Sequence, residues 1–153
     1  MKRENDLLDE GNAWEAVLSA GLTINRPDGF KDEHDYFIAL DFLHELESGG
    51  HGSLLEWSSD IIEVLGIRTY IERLTSMLEK IGAEEYAEIE KQYAEKLWIL
   101  NRALANGEDV MEEYDRLIEE ADKRYTQLGE LLLDRMQAYS LVIYKELSEN
   151  IEE

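Results

Sequence analysis

Cysteine is absent from the 153 residues, which excludes a disulfide framework, a thiolate nucleophile and a Cys-ligated zinc site, and agrees with a reducing compartment. Proline occurs once, at Pro27, so nothing but single glycines and polar turns is left to interrupt helices downstream. Bases are scarce: 15 Lys and Arg stand against 36 Asp and Glu, for a formal net charge of −21. Such a field repels DNA, RNA and anionic membranes, and makes basic proteins the natural partners. No apolar run approaches the roughly 18 residues of a membrane span, and the opening Met-Lys-Arg-Glu-Asn-Asp leads into no signal-peptide core. The sequence therefore predicts a cytoplasmic protein with no membrane partner and no direct contact with nucleic acid. Also missing are a Gly-x-Ser-x-Gly elbow, a glycine-rich Lys-Ser/Thr phosphate loop and a dinucleotide fingerprint, so no enzyme class and no cofactor is indicated.

Present instead is enough apolar material, 44% of residues, to fill the core of one domain spanning 1–153. A short first helix and the turn-like Asn25-Arg26-Pro27-Asp28-Gly29 occupy residues 1–30, with the main helical body in 31–153. Tyr36, Phe37, Leu40, Leu43 and Leu46 follow helical spacing up to Gly49-Gly50, and Ser53 to Leu65 gives one or two short helices closed by Gly66. Ile71, Leu74, Leu78 and Ile81 form a stripe ended by Gly82. Tyr86, Ile89, Tyr93, Leu97, Leu100 and Leu104 then carry a long helix to Asn106-Gly107. Val110, Tyr114, Leu117, Ile118, Ala121, Tyr125 and Leu128 mark another, and Leu132, Met136, Tyr139, Ile143 and Leu147 a last one from about residue 130. No strand pattern and no internal repeat competes. The expected architecture is all-α, a single compact domain of six or seven helices.

The charge is not evenly spread. Glu108, Glu112, Asp115, Glu119 and Asp122 recur at a 4-3-4-3 spacing that aligns five carboxylates on one helix face, opposite the apolar stripe. From 108 to 122 eight acids face one base, Arg116. Like charges at i,i+4 weaken an isolated helix by about 0.2–0.5 kcal/mol per pair, so folding alone gives no reason for the arrangement. Five carboxylates over about 21 Å of helix lie at a lower density than one strand of DNA phosphates, at about 3.4 Å per charge along the axis. Glu113 and Glu120 widen the row, and Glu84, Glu85, Glu88 and Glu95 on the preceding helix form a second row that antiparallel packing would set beside the first. The expected partner-binding residues are thus Glu108, Glu112, Asp115, Glu119, Asp122, Glu84, Glu85 and Glu88. A solvated face on an acidic protein would look the same in sequence.

His34, His44 and His51 fall within eighteen residues, and Asp41, His44 and Glu47 share one helix face, which opens the alternative of a metal-dependent helical enzyme. Helical metal sites need Glu-x-x-His repeated on separate helices, and that motif does not occur, so the reading is of no metal ligands. His51 reads as a packing residue in a turn. Tyr86, Tyr93, Trp98, Tyr114, Tyr125, Tyr139 and Tyr144 lie on apolar stripes and are expected in the core.

The stretch Glu45-Leu46-Glu47-Ser48-Gly49-Gly50-His51-Gly52-Ser53-Leu54-Leu55-Glu56-Trp57 resembles the signature of a bacterial family of small helical proteins. There a Glu-Val pair leads into Asn-Gly-Gly, an aromatic, a Gln and two Phe. Here Ser53 replaces the Gln, Leu54-Leu55 the Phe pair and Trp57 the closing Asn. Leu74, Leu78, Ile81-Gly82-Ala83 and Ala87 match the family's next segment, a leucine-bearing helix, an Ile-Gly-Ala turn and a second helix. The family contains acidic DNA-mimic proteins that occupy the DNA-binding surfaces of basic proteins such as transcription repressors. The resemblance implies an all-α fold and a non-enzymatic role as a DNA mimic, in a monomer or homodimer. An immunity or antitoxin-like inhibitor of a basic nuclease is the alternative within the same binding class.

Overall fold

The computed structural model describes residues 32–152 together with Trp14 and Glu15, and side chains from 35 to 145. Among these residues it is all-α: α1 (Asp32–Trp57), α2 (Ser59–Leu65), α3 (Ile67–Lys80), α4 (Glu84–Ala105), α5 (Met111–Gln127) and α6 (Leu131–Glu152). The expected Pro27 turn lies outside the described residues.

Helix α1 is the hub. Tyr36, Phe37, Ile38 and Ala39 are four consecutive buried residues, which requires protein on every side of the helix rather than on one face. It packs against α3, α5 and α6, while α3, α4 and α5 form consecutive antiparallel hairpins. Buried polar contacts fix the outer helices in register. The Tyr36 hydroxyl donates to the Met136 carbonyl at 2.7 Å, and the Leu132 N–H donates to the Tyr86 hydroxyl at 2.9 Å. Tyr86, Tyr93, Trp98 and Tyr125 are buried as their spacing predicts, whereas Tyr114, Tyr139 and Tyr144 stop half-way, at helix edges. The position of Leu147 falls beyond the described side chains.

Helix α1 is two helices in one. Gly49 (φ −159°, ψ 17°) and Gly50 (φ 73°, ψ −163°) break it, as the sequence predicts, but the chain resumes helical geometry at once with His51. Gly50 occupies a region of backbone space open almost only to glycine, and a Cβ there would run into the Asp122 carboxylate. Gly52, two residues on, has no such reason. It sits at ordinary helical φ with nothing within 4 Å of where its Cβ would be. Alanine at the two positions should therefore act in opposite directions. Gly50→Ala is expected to lose about 1–3 kcal/mol, and Gly52→Ala to gain about 0.5–1 kcal/mol, as for any glycine replaced inside a helix. Urea denaturation of the two variants beside the parent measures both signs.

Candidate functional site

Helix α5 carries the acidic ladder and buries little: among its residues only Ala121 and Tyr125 are fully enclosed. Its first acid is displaced from the expected place. Gly107, at φ 86°, ends the preceding helix, and the Glu108 N–H turns back to the Ala103 carbonyl at 3.0 Å, so α5 begins only at Met111. Glu108 and Asp109 consequently lie in the connecting loop, exposed, rather than on the ladder's helix.

Glu112, Asp115 and Glu119 stand in the expected row, exposed, and none forms an ion pair with its own chain among the described residues. Glu113 differs, pairing with Lys96 of α4 at 3.4 Å. Asp122, the last rung, is a correction. Only 34% of its side chain is exposed, and its Oδ1 accepts from the His51 backbone N–H at 2.9 Å and meets His51 Nδ1 at 2.7 Å. Its position on the helix sets it at the edge nearest α1, so it serves the interior rather than the free face.

The second acidic row is corrected in the same way. Helices α4 and α5 are antiparallel, as Lys96 to Glu113 and the contact of Arg124 with Gln92 require. Antiparallel packing sets Glu85 and Glu88 beside Arg124, Gln127 and Leu128, at the opposite end of the hairpin from Glu108. Glu84, Glu85 and Glu88 are exposed, but they follow the ladder along the hairpin instead of running beside it, and Lys123 and Arg124 come between. Glu95 is taken by Arg68 at 3.0 Å. Acids without an ion pair among the described residues thus stand at both ends of the hairpin, with Glu108, Asp109, Glu112, Asp115 and Glu119 on α5 and its leading loop and Glu84, Glu85 and Glu88 at the far end.

The two described histidine side chains, His44 and His51, have different surroundings. His44 is exposed, the His34 side chain lies outside the described residues, and His51 is enclosed at 1% exposure. Among the described residues no group of three or more His, Cys, Asp or Glu side chains is placed to hold a metal ion. His51 instead bridges two helices: Nδ1 meets Asp122 on α5, and Nε2 meets Glu90 on α4 at 2.6 Å. Glu90 is itself 1% exposed, and its second oxygen, Oε1, has no hydrogen-bond partner among the described residues. Sequence reasoning missed this cluster. The readable signal was Glu90, an acid four residues after Tyr86 and three before Tyr93, in the middle of an otherwise apolar stripe.

A family model described as DMP19-like protein matches residues 30–143. The chain belongs to the DMP19-like family. The match runs through the kink of α1, the Ile81-Gly82-Ala83 turn, the α4–α5 hairpin and most of α6, so the segment that carries the acids and the segment that anchors them are both family structure. No curated protein and no solved structure matches the chain.

Burial alone would pull the His51 pKa down. The charge of Glu90 and the hydrogen bonds to Asp122 and Glu90 outweigh it, and the pKa rises from 6.5 to about 10. The folded protein therefore holds a proton that the unfolded chain releases near pH 6.5. That stabilisation is complete below about pH 6.5 and is lost as pH climbs towards 10. Between pH 7 and 9.5 the unfolding free energy of this DMP19-like protein, measured by urea titration, should therefore fall by up to about 1.4 kcal/mol per pH unit. His51→Gln should be less stable at pH 7 by about 3–5 kcal/mol, since it leaves the buried Glu90 carboxylate without its cation, and its pH profile should be flat. Parallel profiles for the two proteins would refute the bridging role.

Proposed function

We propose that this protein is a non-enzymatic acidic binding protein of the cytoplasm that acts as a DNA mimic, covering the nucleic-acid-binding surface of a basic partner such as a transcription regulator. The observation that carries the reading is the row Glu112, Asp115 and Glu119: exposed, on one helix face, and left without an ion pair from their own chain among the described residues. A folding chain with exposed lysines and arginines on the same helix, Arg116 and Lys123, had the means to neutralise this row and did not. The loop acids Glu108 and Asp109 extend it. Membership of the DMP19-like family adds support, through the resemblance to DNA-mimic proteins noted in the sequence. Among the described residues no helix is long and apolar enough to cross a membrane.

The mechanism is electrostatic. Carboxylates in a field of this sign steer a cationic surface into contact and exchange counterions with its lysines and arginines, as DNA phosphates do. Affinity for a basic DNA-binding protein should then fall steeply with salt, as the screening length shrinks from about 10 Å at 0.1 M to 3 Å at 1 M. Replacing Glu112, Asp115 and Glu119 together by Lys should slow association about tenfold or more. The helix should persist, because all three positions are exposed and lysine is a good helix former. Association rates measured at three salt concentrations decide the matter, with circular dichroism as the control for folding. A flat salt response and an unaffected triple variant would end the reading.

A further inference from the structure

Beside the start of the acidic helix lies a groove of about 550 Å3, lined by Gly52 and Glu56 of α1, Ser59 of α2, Asn101, Arg102, Leu104 and Ala105 of α4, and Tyr114 of α5. Its size falls within the range of sites that take an organic group or a large side chain. The apolar surface comes from Leu104, Ala105 and the Tyr114 ring, and the Tyr114 hydroxyl is held by Asn101 at 3.3 Å. Met111, one turn before Tyr114 on the same side of α5, is 53% exposed and extends that surface outward. The opposite wall is bare because it is a glycine. Gly52 has no left-handed backbone to justify it and no neighbour within 4 Å of its missing Cβ, so this position leaves space that a bulky side chain would fill.

The charge around the groove is one-sided. Residues 52–64 and 99–115 contain eight acids and a single base, Arg102. That base is committed, with Nη1 on Glu63 at 3.0 Å and its guanidinium 4.5 Å above the Trp98 ring. Glu56 and Asp60 lie on the α1–α2 bank, and Glu108, Asp109 and Glu112 follow Ala105 on the other, all exposed. The hydrogen bond from the Glu108 N–H to the Ala103 carbonyl ties the second bank to the groove wall.

We propose that this groove receives an apolar side chain from an amphipathic helix of the basic partner, whose lysines and arginines meet the acids on both banks. The proposal rests on the reading of a basic partner given above and adds where the contact that charge does not provide is made. An apolar anchor in a groove supplies affinity that survives screening, whereas the rim charges supply rate.

Two synthetic peptides of equal length and charge test it with the full chain: one with leucine on one helix face and arginine on the other, and one with every leucine replaced by serine. At about 1 M salt, where screening reaches 3 Å, the leucine peptide should bind at least tenfold more tightly than the serine peptide. Gly52→Leu, which fills the groove from a position with free space, should reduce that preference to twofold or less and leave low-salt binding of the serine peptide unchanged. Ala105→Trp should do the same from the other bank, and Gly52→Ala, which leaves the groove open, should keep the preference. Equal affinity of the two peptides, or a preference untouched by both filling variants, would overturn the groove proposal while leaving the mimicry reading intact. Failure of either peptide to bind at low salt, or low-salt binding unmoved by the triple Lys variant, would instead overturn the reading on which it rests.

Discussion

One imidazole joins the three helices on which the acidic face depends. His51 restarts α1 after the glycine kink, reaches Glu90 on α4 with one ring nitrogen and Asp122 on α5 with the other, and is closed to solvent. The kink exists for this contact: Gly50 alone has room beside the Asp122 carboxylate, and the His51 N–H donates to the same oxygen that the ring meets. Among the described residues His51 is the one basic side chain that is buried, and burying it as a cation is tolerable because both ring nitrogens are met by carboxylates.

The dependence is strongest for α5. Besides its two fully buried residues only the half-buried Tyr114, Leu117 and Ile118 pack it against the core, and eight acids from 108 to 122 repel one another. Polar links at several heights add to that packing: Asn101 to Tyr114, Lys96 to Glu113, His51 to Asp122 and the Tyr125 hydroxyl to Glu47 at 2.8 Å. Most of these are exposed or half-exposed pairs worth little in isolation. The His51 link differs, since the imidazole is closed to solvent and losing Asp122 would take away one of its two carboxylate partners. A helix that displays a repulsive face is thus fixed by an attractive contact on its reverse edge, and Asp122 belongs to the acidic spacing and to the interior at once.

Most of the fold was legible because helices here are punctuated by glycine and by little else. The stripes Leu74-Leu78-Ile81 and Tyr86-Ile89-Tyr93-Leu97 gave α3 and α4, and the breaks at Gly66 and Gly82 fell where the structure has them. Two things resisted. The acid spacing ran on through Glu108 although the chain there is a loop, because periodicity counts residues and does not see that Gly107 has already turned the backbone. The pairing of His51 with Glu90 and Asp122, across 39 and 71 residues, is tertiary and leaves no local pattern. Glu90 was the visible trace: an acid in the middle of an apolar stripe must find a partner, and a buried histidine beside a glycine pair was available to be that partner.

The corrected face bears directly on the proposed mimicry. Glu112, Asp115 and Glu119 are separated by three and four residues, about 4.5 and 6 Å of helix rise, wider than the 3.4 Å per charge of a phosphate strand. With Asp122 withdrawn and Glu84, Glu85 and Glu88 moved to the far end of the hairpin, no second row fills the gaps. A partner would therefore meet a field of the right sign without a matching lattice of positions. Phosphate contacts on DNA likewise position a protein without specifying a sequence, so a field alone would attract every cationic surface in the cell. Discrimination among basic partners then has to come from shape and apolar contact, where a missing or misplaced group costs affinity regardless of charge. The surface next to the free acids that offers both is the groove that Gly52 leaves open.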